Sequence, residues 1–171
     1  MTPLPPPIGT GEPNAGLWAW RLDTAPFAAS WDSGEGAFRA GGRWNRRGTR
    51  AVYCALDPAT AILEVAVNKG FRALDTVAHV LTWCVIADPA PIHVVMPGDV
   101  PNPNWLRPGL PSAGQQEFGT DLLQRHGLMI VPSVVSTHSW NLVFDGLVAA
   151  GRYCQQGQEA FALDPRLHPP R

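Results

Sequence analysis

The chain has 171 residues, 45% of them hydrophobic and only 16% charged, with a formal net charge of −1. That length predicts one domain with a buried core. The charge balance argues against direct nucleic-acid binding, which needs a strongly basic face.

Residues 1–15 are rich in proline and glycine and read as an extended arm, leaving 16–171 as a single domain. The start of the chain lacks a basic segment followed by an apolar one. No apolar run approaches the ~20 residues that span a bilayer. Cys54, Cys84 and Cys154 are odd in number, widely spaced and without a zinc pattern, which fits three reduced thiols. The expectation is a cytoplasmic protein with no membrane partner and no metal.

Leu17 to Leu22 has the pattern of a first strand, with Arg21 among apolar neighbours. An arginine there is either exposed at an edge or aimed at an anion. Residues 23–50 lack periodicity and are glycine-rich. A loop of that length is functional or disordered, and its aromatics (Phe27, Trp31, Phe38, Trp44) argue against disorder. Within it, Gly41-Gly42-Arg43-Trp44-Asn45 joins a glycine pair to a cation, an aromatic and an amide. Glycines allow close backbone approach, and the arginine fork suits phosphate or carboxylate. Neither a dinucleotide fingerprint nor a P-loop is present.

Ala51–Ala55 reads as a short strand carrying Tyr53, either a core aromatic with a satisfied hydroxyl or a ligand platform. Asp57 and Pro58 predict a helix start, as N-cap and first helical residue. Ala59, Ile62, Leu63, Ala66 and Val67 are its expected apolar stripe, ending at Asn68-Lys69-Gly70. Glu64 falls off that stripe, on the flank or open side, where it could border a cleft. Strand character returns at 77–87 and 92–95, and residues 97–111 hold five prolines in an irregular connection. Gln115 to His126 predicts a helix stopped by Gly127. Leu128–Val131 predicts a buried strand running into Pro132-Ser133. Strands at 140–144 and 159–163 follow. No GxSxG elbow surrounds Ser133, and the five histidines show no paired metal spacing. The class is α+β, with many short strands and two or three helices.

Several segments in this order resemble one known family. They are Trp20-Arg21-Leu22, Gly36-Ala37, Gly41-Gly42-Arg43-Trp44-Asn45 with Gly48, Val52-Tyr53 and Ala61-Ile62-Leu63-Glu64. Later come Phe118-Gly119, Val131-Pro132-Ser133-Val134-Val135 and Asn141-Leu142. The chain resembles the RES-domain toxins of bacterial toxin–antitoxin pairs, named for an Arg, a Glu and a Ser, from about residue 18 to about residue 166. The resemblance implies an ADP-ribosyltransferase-like fold of two small packed sheets with flanking helices and an NAD cleft between them. It implies NAD as substrate, cleaved at the nicotinamide–ribose bond by hydrolysis or phosphorolysis. The alternative is transfer of ADP-ribose to a host protein, such as a nucleotide-metabolism enzyme. It implies an Xre-type DNA-binding antitoxin as partner, with room for oligomers in that complex. By the same resemblance Arg43, Glu64 and Ser133 are the defining catalytic residues. Arg21, Arg43, Tyr53 and Ser133 would bind substrate. A non-catalytic protein-binding module is the reading from another class.

Overall fold

The computed structural model describes residues 16–109 and 111–167. The proposed arm at 1–15, His168 and the end of the Pro-rich tail lie outside the described residues. The elements in order are β1 (Leu17–Thr24), a 3-10 turn (Ala25–Ser30), α1 (Glu35–Ala40), β2 (Val52–Ala55), α2 (Pro58–Lys69) and α3 (Phe71–Thr76). Then come β3 (His79–Ile86), β4 (His93–Val94), α4 (Ala113–His126), β5 (Leu128–Pro132), β6 (Trp140–Phe144) and β7 (Tyr153–Phe161).

The strands form one seven-stranded sheet in the order β4-β5-β6-β2-β1-β3-β7. The class is α+β, as the sequence indicates. The two sheets implied by the resemblance are here two halves of one sheet, joined at a narrow seam. β1 registers against β2 only at Trp20–Ala55, whereas it pairs with β3 from Leu17–Ile86 to Thr24–His79. Beyond the Trp20 pair the ladder stops, and the Arg21 side chain reaches the Tyr53 carbonyl across it.

Alternation along the strands sorts the core onto two faces. One face carries Leu17, Ala19, Val52, Cys54, Cys84, Ile130, Leu142 and Phe144. The other is covered by helices. α4 lies on β5, joining Leu122 and Leu123 to Met129, Val131 and Val143. α2 lies on β1 and β2, joining Ala66 and Ile62 to Trp20 and Leu22. The helix-covered face on β6 and β2, between these two packing regions, holds the site.

Local chemistry explains the helix ends. The Asp57 carboxylate accepts from Thr60 N–H at 2.7 Å, and Gly70 ends α2 at φ 81°. The Ser112 hydroxyl accepts from Gln115 N–H at 3.1 Å, and α4 stops at Gly127. Two helices escaped the sequence pattern. α1 has no side-chain cap, and contacts from outside support it: Arg50 binds Glu35 Oε2 at 2.6 Å and the Ser33 carbonyl at 3.0 Å. α3 is a six-residue helix directly after Gly70, too short to show a period. β7 begins six residues before its expected start. It is an edge strand paired only to β3 and largely exposed, so burial leaves no apolar alternation on it.

The apolar stripe expected on α2 is corrected. Ala59 and Val67 are exposed, and Thr60, Ala61 and Ala66 are buried. The helix is so apolar that its sequence does not select a face. Glu64 lies four residues from Thr60 and three from Ala61. It therefore shares their inward face.

Candidate active site

Ser133 and Asn141 stand beside each other on the helix-covered face. Asn141 of β6 pairs with Val131 of β5 on one side and Ala55 of β2 on the other. Ser133 is two residues beyond Val131, so it is a diagonal neighbour of Asn141 on the same face. Glu64 comes down from α2 onto this pair. Its Oε1 accepts from Ser133 Oγ at 2.9 Å and from Asn141 Nδ2 at 2.7 Å. Oε2 has no hydrogen-bond partner among the described residues.

Ser133 is fully buried, and its oxygen also accepts the N–H groups of Val135 at 3.2 Å and Ser136 at 3.1 Å. Its O–H donates to Glu64 and its lone pairs accept from the turn. The Ser133 hydroxyl is thus turned to Glu64 and to its own turn.

The Arg43 loop hangs over the neighbouring position of the same face. Tyr53 and Ala55 are same-face neighbours on β2, and the Tyr53 hydroxyl reaches the loop. It accepts from Trp44 N–H at 3.0 Å and donates to Asn45 Oδ1 at 2.7 Å. Burial pushes this phenol well above its ordinary value, opposed by the Trp44 N–H and the Arg43 charge. It stays a protonated donor. Asn45 is fully buried and donates to the carbonyls of Ala37, Arg46 and Thr49. A Cβ on Gly42 would stand 2.5 Å from the Tyr53 hydroxyl oxygen, so only glycine admits this contact.

α4 holds the loop from outside. Gln116 Nε2 donates to the Gly42 carbonyl at 2.8 Å, and Arg46 N–H donates to Thr120 Oγ1 at 2.9 Å. Gly119 lets the Trp44 carbonyl lie directly on the helix. Arg43 itself donates one bond, from Nη1 to the Trp105 carbonyl at 3.1 Å, and no carboxylate pairs with it among the described residues. Most of its five donors therefore remain open.

Arg21 is disposed differently. Alternation sets it on the face of Ala19, opposite Trp20 and Leu22. Nε and Nη2 grip Asp23 at 2.6 and 2.7 Å, and Nη1 donates to the Tyr53 carbonyl at 2.9 Å. It links β1 to β2 where their ladder stops, and its charge is already matched by Asp23. The residues that sequence reasoning passed over are Asn141, present only inside a resembling segment, and Asn45, read as a loop amide. An amide isolated in an apolar strand was the available signal for Asn141.

Among the described residues, cavities lie elsewhere. One of about 190 Å³ is lined by Ala87, Asp88, Pro91, Gly151 and Arg152. One of about 340 Å³ is lined by Asp32, Ser33, Arg50, Gly146, Leu147 and Tyr153. In the larger, the Tyr153 hydroxyl binds Asp32 and Arg50 binds Glu35, so its polar groups are spent. Neither Glu64 nor Arg43 lines either cavity.

The RES domain model matches residues 19–164 of this sequence. The chain belongs to the RES domain family. This RES domain is 29% identical over 156 residues to "Toxin Res" of Yersinia enterocolitica, covering 88% of this chain and 99% of that protein. It is 32% identical over 135 residues to "Prs ADP-ribosylating toxin" of a Sphingobium species, covering 75% of this chain and 81% of the relative. The fold is similar to a chain in the crystal structure of the M. tuberculosis MbcT–MbcA toxin–antitoxin complex, with TM-score 0.67 and 20% identity. That match covers 87% of this RES domain and 86% of the other chain. No helix among the described residues is long and apolar enough to cross a membrane.

Proposed function

We propose that this RES domain is the toxin of a toxin–antitoxin pair and cleaves NAD at the nicotinamide–ribose bond. The observation that carries the reading is the half-anchored Glu64 carboxylate. One oxygen is held by Ser133 and Asn141, the other has no partner among the described residues, and Tyr53 ties the Arg43 loop to the same face of the sheet. Bond cleavage builds positive charge on the ribose, as in glycoside hydrolysis. A fixed, ionised carboxylate stabilises that charge and can hold a ribose hydroxyl or orient the incoming nucleophile. Nicotinamide leaves neutral, so no strong general acid is required.

Arg43 is assigned the pyrophosphate, since its fork is largely unspent. Tyr53 is assigned to hold the Arg43 loop through its hydroxyl, with its ring beside the substrate. Arg21, matched by Asp23, is assigned to brace the Tyr53 carbonyl at the seam rather than to hold phosphate. Ser133 acts through Glu64. The partner is an antitoxin, of the Xre type by resemblance, and the similar MbcT–MbcA structure is itself a toxin–antitoxin complex.

A second reading uses the same site to transfer ADP-ribose to a protein, and the name of the Sphingobium relative favours it. Mass spectrometry of NAD incubated with the purified protein, with and without phosphate and with lysate, separates the outcomes. ADP-ribose indicates hydrolysis, a phosphorylated ADP-ribose indicates phosphorolysis, and a modified protein indicates transfer. Intact NAD and unmodified lysate would favour a non-catalytic binding module.

A further inference from the structure

We propose that Asn141 is a positioning residue for Glu64, deciding together with Ser133 which carboxylate oxygen meets the substrate. This deepens the NAD-cleaving reading and rests on it. The amide stands in β6 between buried Trp140 and buried Leu142, with Val143 and Phe144 beyond, so it is the polar exception in an apolar strand. Its Nδ2 donates to Glu64 Oε1 at 2.7 Å, while its Oδ1 is buried without a donor among the described residues. A half-satisfied buried amide is a poor choice for stability, since leucine has nearly the same shape and no desolvation cost. Asn141 therefore contributes at Glu64 rather than to packing.

The geometry defines that contribution. Glu64 sits on a helix at a half-buried position, and an unanchored carboxylate there would turn toward water. Ser133 approaches Oε1 from the end of β5 and Asn141 from β6. Two donors from two strands tie one oxygen to the sheet rather than to the helix alone. The carboxylate is then held against rotation, with Oε2 outward. Ser133 is itself held by two backbone N–H groups, so the anchor is rigid. A charge that must meet a developing oxocarbenium gains from such fixed placement, because no reorganisation remains when the bond breaks.

The test is steady-state NAD consumption by Asn141→Leu and Asn141→Asp beside the parent protein, with thermal unfolding of each. Loss of a charge-assisted positioning bond should lower kcat by about 10- to 100-fold. KM for NAD should stay near the parent value. Asn141→Leu should melt at or above the parent temperature, which a merely structural asparagine would not allow. Asn141→Asp keeps the shape but sets a second carboxylate against Glu64, so its kcat should fall below that of Asn141→Leu. An active parent with an equally active Asn141→Leu overturns the positioning role alone. So does a loss of activity that only tracks a fall in melting temperature. A parent that leaves NAD intact, with and without lysate, overturns the NAD reading and this inference with it.

Discussion

Ser133 donates its hydroxyl proton to Glu64 Oε1 across 2.9 Å, joining a strand end to a helix 69 residues away in sequence. The same oxygen closes the turn at Val135 and Ser136. One hydroxyl thus serves both the carboxylate and the backbone, and its removal should be felt twice. Ser133→Ala should cost about 1–3 kcal/mol, because buried N–H groups lose their acceptor. Urea unfolding measures that loss. In the fraction that remains folded, kcat should fall with KM little changed, and a KM effect alone would assign Ser133 to substrate instead.

Glu64→Gln should retain the fold and lose turnover. The amide keeps the shape but removes the charge set against the developing oxocarbenium. A fall in kcat of about 10²- to 10³-fold is expected, as for the loss of other preorganised electrostatic contacts. NAD affinity, read by calorimetry, should change far less. Parent-rate consumption by this variant would remove Glu64 from the chemistry.

The two arginines should separate. Arg43→Ala should raise KM for NAD by about 10- to 100-fold, the worth of a charge-assisted clamp on pyrophosphate. Arg43→Lys should recover little, because an ammonium cannot reproduce the planar fork. Arg21→Ala should lower the melting temperature, since Asp23 and the Tyr53 carbonyl lose their partner, with a smaller change in KM. Equal KM effects in both variants would place Arg21 on the substrate as well.

Gly42→Ala and Tyr53→Phe probe the loop from its two sides. The added methyl would collide with the Tyr53 hydroxyl, and the lost hydroxyl would leave Trp44 N–H and Asn45 Oδ1 unmatched. Each should cost about 1–3 kcal/mol and raise KM by loosening Arg43. Unchanged stability and unchanged KM in both variants would mean that the loop is held by α4 alone.

Alkaline pH should weaken the fold through two phenols. Burial raises Tyr53 above its ordinary value of 10.0, and burial with the Asp32 bond raises Tyr153. The unfolded chain releases these protons at lower pH than the folded one. Their contribution is whole below pH 10 and declines above it. Melting temperatures taken on either side of that value should show the decline, and Tyr53→Phe or Tyr153→Phe should flatten it.

What could be read in the sequence was local. Asp57-Pro58 and Gly70 bound α2, Gly127 stopped α4, and the all-apolar run before Pro132 predicted the buried strand β5. These follow from capping chemistry and burial, which neighbouring residues carry. The order of Arg43, Tyr53, Glu64 and Ser133 within resembling segments pointed to the family, because order and spacing are properties of the chain. Tertiary structure alone decided how those residues divide their work. An apolar α2 offered no preferred face until the sheet turned Glu64 inward. Asp23, two residues along β1, and the Tyr53 carbonyl on β2 engaged Arg21, while the Trp105 carbonyl left most of Arg43 open. Ser133 and Asn141 met Glu64 only because β5, β6 and β2 pair in one register, which sets them beside the α2 that lies on β1 and β2. A hydrogen bond between residues far apart in sequence depends on register and packing, and neither is written in local residue order.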